Sequence, residues 1–235
     1  MRRAAGFIAV IIVACAYFYA VHKYSPTRNP QNRQEGLPPL AGGPTFVIDG
    51  VEWTQVFYWN FSDGMYPDGW SWGQWEAIDG LLTGEDQEGI TSVYFFPFTH
   101  NGNVVLETKV KLLKGIEGHH AEAHLLTRDS DEIYYESGMT LLADTNHVQL
   151  RHMAGKKDYL YQLFPIHKRV HYNDWYVMRF MIYRNEVKAF VNGIPVLPKL
   201  ESIDEKLPVG VYHEPHVTVA YGVAQFEYVK ILVAP

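Results

Sequence analysis

From Phe46 to the C-terminus, apolar residues recur at every second position in short runs, and turn residues separate one run from the next. In "VVLETKVKL", Val104, Leu106, Thr108, Val110 and Leu112 fall on one face of an extended chain. Glu107, Lys109 and Lys111 fall on the other, the signature of a half-buried strand. In "WYVMRFMIYRNEVKAFVNGIPV", Tyr176, Met178, Phe180 and Ile182 share a face, a turn falls at Arg184-Asn185, and Val187, Ala189 and Val191 return to a second turn at Asn192-Gly193. That segment predicts a three-stranded meander. "WEAIDGLLTG" predicts a hairpin around Asp79-Gly80, a pair suited to the positive φ angles of a two-residue turn, and Asp63-Gly64 and Asp68-Gly69 answer similar backbone needs. Trp70, Trp72 and Trp75 supply apolar bulk at one end of the core. No long helical period and no internal repeat interrupts this pattern, so the segment reads as an all-β sandwich or barrel.

The first 45 residues follow a different pattern. After Met1-Arg2-Arg3, an uncharged and mostly apolar run extends from Ala4 to Val21, about 27 Å long as a helix and close to the thickness of a bilayer's hydrocarbon core. A cleaved signal peptide, a lipoprotein signal ending in "IVAC" at Cys15, and an uncleaved anchor are all compatible with it. The bulky residues after Cys15, and Tyr17, Tyr19 and Tyr24 at the level of a membrane interface, favour a single transmembrane helix over residues 1–24. Charge followed by an apolar run places the N-terminus in the cytoplasm. The remainder is then expected on the periplasmic side of the inner membrane. Residues 25–45, rich in Pro, Gly and polar side chains, read as an extended linker, and residues 46–235 as the β-sandwich domain.

Composition narrows the chemistry. With 20 Lys+Arg against 26 Asp+Glu and a formal net charge of −6, the chain lacks the basic stripe that neutralises phosphates, so nucleic acid is not an expected partner. The single cysteine, Cys15, lies in the apolar run, which leaves the domain without a disulfide, a thiolate metal site or a cysteine nucleophile. No nucleophile elbow, P-loop, dinucleotide fingerprint or His-Glu-x-x-His motif occurs, and no cofactor is called for.

The succession "FSDGMYPDGWSWGQWEAIDGLLTG", "NVVLETKVKL", "AEAHLLTRDSDEIYYESGMTL", "DWYVMRFMIYRNEVKAFVNGIPV" and "VAQFEYVKIL" resembles the concanavalin A-like lectin/glucanase superfamily. Within it, the likeness is greatest to the domain of 3-keto-disaccharide hydrolases and to laminin G-like modules. The resemblance runs from about Trp53 to Val233 and implies a two-sheet antiparallel jelly-roll whose concave face holds carbohydrate in binding relatives. It does not fix a reaction, because the fold hosts enzymes, lectins and structural modules alike. Two departures bear on function. The Glu-x-Asp-x-x-Glu strand of glucanase members is missing, which removes their carboxylate pair. The closing strand has Glu227-Tyr228 where relatives carry Asp-Asn, which weakens an inferred calcium site.

The strongest chemical constellation is "GHHAEAHLL". As a strand it projects His120, Glu122 and His124 from one face, a donor set suited to zinc. The outer histidines would stand about 13 Å apart, so at most two residues could share a metal, with a third ligand such as His152 from a neighbouring strand. The competing reading is a plain polar strand face, and no metal site is assigned. A possible concave binding face comprises His120, Glu122, His124, Arg128, His152 and Tyr135, with Tyr134, Tyr159 and Tyr161 as further platform candidates. Catalytic residues are not identified.

The anchor, the linker and the lack of a catalytic set together predict a non-catalytic accessory subunit whose sandwich docks on a membrane protein complex, for example a respiratory or photosynthetic one. A membrane-tethered glycan-binding module and a glycosidase-like enzyme of the keto-disaccharide type are the alternatives.

Overall fold

Antiparallel pairing joins all the strands of the computed structural model, which describes residues 43–62, 70–86, 91–96, 103–129, 135–154, 158–184, 186–196, 201–202 and 213–235. The expected transmembrane helix, most of the linker, and the Asp63-Gly64 and Asp68-Gly69 turns lie outside these residues. Among the described residues, no helix is long and apolar enough to cross a membrane.

The chain opens with β1 (Thr45–Ile48), β2 (Val51–Trp59), β3 (Trp70–Trp72), β4 (Gln74–Ile78), β5 (Leu81–Glu85) and β6 (Ser92–Phe95). The middle strands are β7 (Val104–Gly115), β8 (Glu122–Asp129), β9 (Tyr135–Leu142), β10 (His147–Ala154) and β11 (Asp158–Pro165). The last are β12 (Trp175–Tyr183), β13 (Glu186–Val191), β14 (Ile194–Pro195), β15 (Glu201–Ser202), β16 (His213–Ala220) and β17 (Gly222–Val233). They form two sheets. The ten-stranded sheet runs β1-β2-β17-β7-β12-β13-β14, with β5 also on β17, β4 on β5 and β15 on β13. The seven-stranded sheet runs β11-β10-β9-β8-β16-β6-β3.

The core lies between the sheets and is drawn from alternate positions of each. Val104, Leu106, Val110 and Leu112 of β7 and Tyr176, Met178, Phe180 and Ile182 of β12 come from the larger sheet. Ala123 and Leu125 of β8, Met139 and Leu141 of β9, and Val217 and Val219 of β16 come from the smaller. Each large side chain buried here contributes roughly 1.5–3 kcal/mol. The alternation read in β7 and in the β12–β14 meander therefore matches the buried face.

The predicted hairpin is β4–β5. Asp79 and Gly80 take φ values of 53° and 75°, both left-handed as a type I′ turn requires. Trp75 fills the end of the core: its ring stacks edge-on against Tyr94 at 5.6 Å, and its Nε1 donates to the carbonyls of Trp72 and Val93.

The far face of the larger sheet departs from the simple solvated face that alternation predicts. Trp53, Val105, Met181, Phe190 and Leu232 form a second buried cluster there. Glu107 is buried among charges supplied by its register neighbours on β12 and β17. Arg179 donates through Nε at 2.6 Å to Glu107 Oε2, Lys230 Nζ pairs with Oε1 at 2.5 Å, and the Tyr228 hydroxyl donates to Oε1 at 3.0 Å. Burial alone would raise the Glu107 pKa. The Lys230 hydrogen bond and the charges of Arg179 and Lys230 outweigh it and hold the carboxyl below its ordinary range. Tyr228 is driven well above the usual phenol range by burial and by the adjacent Glu107 carboxylate.

Candidate functional site

The seven-stranded sheet sends one set of alternate residues into the core, so the other set faces away from it. Strand register lines up the positions of that second set in rows, two of which cross all seven strands. One row runs Trp72, Val93, Thr218, His124, Thr140, Gln149 and Leu163 from β3 to β11. The next runs Trp70, Phe95, His216, Leu126, Gly138, Arg151 and Tyr161. A third carries Glu214, Arg128, Glu136, Met153 and Tyr159. Polar and aromatic residues that lie far apart in sequence are thereby brought to neighbouring strands, about 4.8 Å apart.

On this face Thr140, Thr218, His124, His216 and Phe95 are all buried although none belongs to the core between the sheets. His124 stands at its centre. Its Nδ1 lies 3.0 Å from Thr140 Oγ1, and its Nε2 is 3.2 Å from Glu122 Oε2 but out of line for a hydrogen bond. Beside it, on β16, Thr218 Oγ1 is buried with no hydrogen-bond partner. One row further on, the His216 imidazole stacks on Phe95 with ring centroids 4.5 Å apart and planes 27° apart. Gly138 leaves the middle of this row bare, and it must: a β-carbon there would come within 2.2 Å of the Leu125 carbonyl oxygen.

Of the residues singled out in the sequence, Glu122 and His124 meet as expected on one face of β8. His120 does not join them. The strand begins at Glu122, and His120 is exposed in the turn before it. By strand position, Arg128 falls in the third row and Tyr135 opposite Ala154 at the start of β9. His152 pairs with Ser137 and Leu160, so its position belongs to the alternate set, one residue out of step with His124. Among the described residues, no group of three or more His, Cys, Asp or Glu is placed to hold a metal ion. Thr218, His216, Thr140, Phe95 and Gln149 are not singled out by any motif. The one legible trace was in β16, where Glu214, His216 and Thr218 alternate with Pro215, Val217 and Val219.

The sequence matches no protein-family model and no curated protein. Solved structures do share its fold. The endo-beta-1,3-glucanase from Pyrococcus furiosus superposes with a TM-score of 0.65 at 13% identity, over 83% of this chain and 100% of that one. The catalytic domain of an endo-1,3-beta-glucanase (laminarinase) from Thermotoga petrophila RKU-1 gives 0.60 at 14%, over 78% and 99%. The carbohydrate binding module CBM66 from Bacillus subtilis gives 0.54 at 14%, over 68% and 92%. The likeness is one of fold, a two-sheet antiparallel β-sandwich shared with these structures.

Proposed function

We propose that the sandwich is a carbohydrate-binding module, held outside the cytoplasm by its N-terminal apolar segment, with the glycan lying across the outward face of the seven-stranded sheet. The observation that carries this reading is Thr218 Oγ1, a buried hydroxyl without a hydrogen-bond partner, on the strand beside His124, whose Nε2 faces Glu122 Oε2 at 3.2 Å. An unsatisfied buried polar atom costs about 1–3 kcal/mol, which a sugar hydroxyl entering the face would relieve. The adjacent Phe95–His216 stack offers an apolar surface for a pyranose ring. Glucanases and a carbohydrate-binding module among the structures of the same fold favour this reading over the accessory subunit expected from the N-terminal run.

A hydrolytic version of the site has a specific requirement. Glu122 and Glu214 are disqualified as an acid/base pair, since Glu122 pairs with Ala220 and six residues of β16, about 20 Å, separate that position from Glu214. Glu136 and Glu214 occupy register positions on either side of Arg128, two strand spacings apart, and are the pair such an enzyme would have to use.

The test is calorimetric titration of the full-length chain in detergent micelles with laminaritetraose, scored together with the melting temperature. Thr218→Val and His124→Ala are each expected to weaken binding about threefold to tenfold. Thr218→Val should leave the melting temperature unchanged or raise it, because it removes a buried hydroxyl that has no partner. Absence of binding, or undiminished binding by both variants, overturns the proposal. New reducing ends that vanish in both Glu136→Gln and Glu214→Gln would convert the module into an enzyme.

A further inference from the structure

A groove of about 550 Å³ lies apart from this face, where β11 ends at one sheet's edge and the β13–β14 turn closes the edge of the other. That volume is within the range of small-ligand sites. Its apolar side is supplied by residues such as Trp175, Ile194 and Pro195. Its other side is the stretch 167–171, which contributes His167, Lys168, Arg169 and His171, against one lining carboxylate, Asp174.

The basic stretch is held on a fixed backbone. Val170 is buried, and its amide donates to the Thr145 carbonyl while its carbonyl accepts from the Asp144 amide, both at 2.7 Å. The Ile166 amide donates to Asn146 O, and the His171 amide to the Tyr176 hydroxyl at 2.8 Å. The side chains between these anchors are exposed and poorly neutralised. Arg169 Nε is 3.9 Å from Asp144 Oδ1, a loose pair, and no carboxylate among the described residues is within ion-pair distance of Lys168. Beside the groove, Lys111 Nζ sits over the Trp175 ring 4.7 Å from its centroid, and Lys109, 5.2 Å from the same centroid, is neutralised by Glu227 Oε2 at 2.5 Å. The exposed charges of Lys168 and Arg169 beside an apolar wall repel one another, and a bound anion offsets that repulsion.

We infer that this groove is a second ligand site, for an acidic saccharide: the apolar wall takes the sugar ring face and the cations take a carboxylate. A bare anion would need only the cations. A neutral glycan would need only the wall. A preformed backbone lowers the ordering cost of binding either part. The inference stands independently of the sheet-face site.

The experiment titrates the full-length chain in detergent micelles with trigalacturonate and, as a neutral control of the same shape, its fully methyl-esterified form. Trigalacturonate is expected to bind at least tenfold more tightly than the ester and to weaken as salt is raised. The double variant Lys168→Ser/Arg169→Ser should lose about tenfold or more in affinity at unchanged melting temperature. Thr218→Val, which tests the sheet face, should leave trigalacturonate binding intact, so failure of one site is distinguishable from failure of the other. The inference is overturned if trigalacturonate does not bind, if the ester binds equally well, or if the double variant binds like the wild type. Displacement by inorganic phosphate at equal potency would overturn it as well, because the groove would then recognise charge alone.

Discussion

Gly80 has room for a side chain, since the nearest atom to an added β-carbon is Ser62 Cα at 3.8 Å. What it cannot lose is its backbone freedom at φ 75°. Gly80→Val is therefore expected to destabilise the domain by about 1–3 kcal/mol, read as a melting temperature several degrees lower. An unchanged melting temperature would contradict the assigned turn. This position was legible because Asp-Gly between apolar runs reports a local backbone requirement. Thr218 was not. A threonine in an alternating strand is ordinary, and its lack of a partner depends on which atoms the rest of the fold leaves near it.

The strands β7, β12 and β13 were read correctly from period-two alternation, whereas β8 starts only at Glu122, after His120, and the contacts between strands were not legible. Glu107 was placed on the face of β7 away from the core, but only the register of β12 and β17 against β7 puts Arg179 and Lys230 beside it. This carboxylate joins three strands, so Glu107→Gln should cost about 1–3 kcal/mol at neutral pH in urea denaturation. Its pKa is lowered in the folded chain, so its contribution is fully present above the ordinary carboxylate range and is lost as pH falls through the folded value. The stability gap between wild type and Glu107→Gln should accordingly narrow between pH 7 and pH 3. A gap that widens on acidification would reverse the assignment. In the same way, β8 supplied Glu122 and His124 from one motif, but the site around them required β9 and β16 as neighbours on either side.

The described strands begin at Thr45, after the apolar run and nearly all of the linker. Removing residues 1–42 is thus expected to move the chain from the membrane pellet to the soluble fraction while preserving cooperative melting of the sandwich, as fractionation and calorimetry would report. A truncated chain that still pelleted with membranes would contradict the anchor. Amino-acid order was enough to establish an all-β chain, its principal strands, the positive-φ turns at Asp79-Gly80 and Asn192-Gly193 and the class of its fold, because alternation and turn chemistry act over two to four neighbouring residues. The outward face of the seven-stranded sheet and the basic groove required the folded chain. The first depends on register across seven strands, which aligns residues as distant as Trp72 and Leu163, and the second on two sheet edges meeting at Pro165 and Ile194. Register is set by which faces can be buried together, a property of all the strands at once.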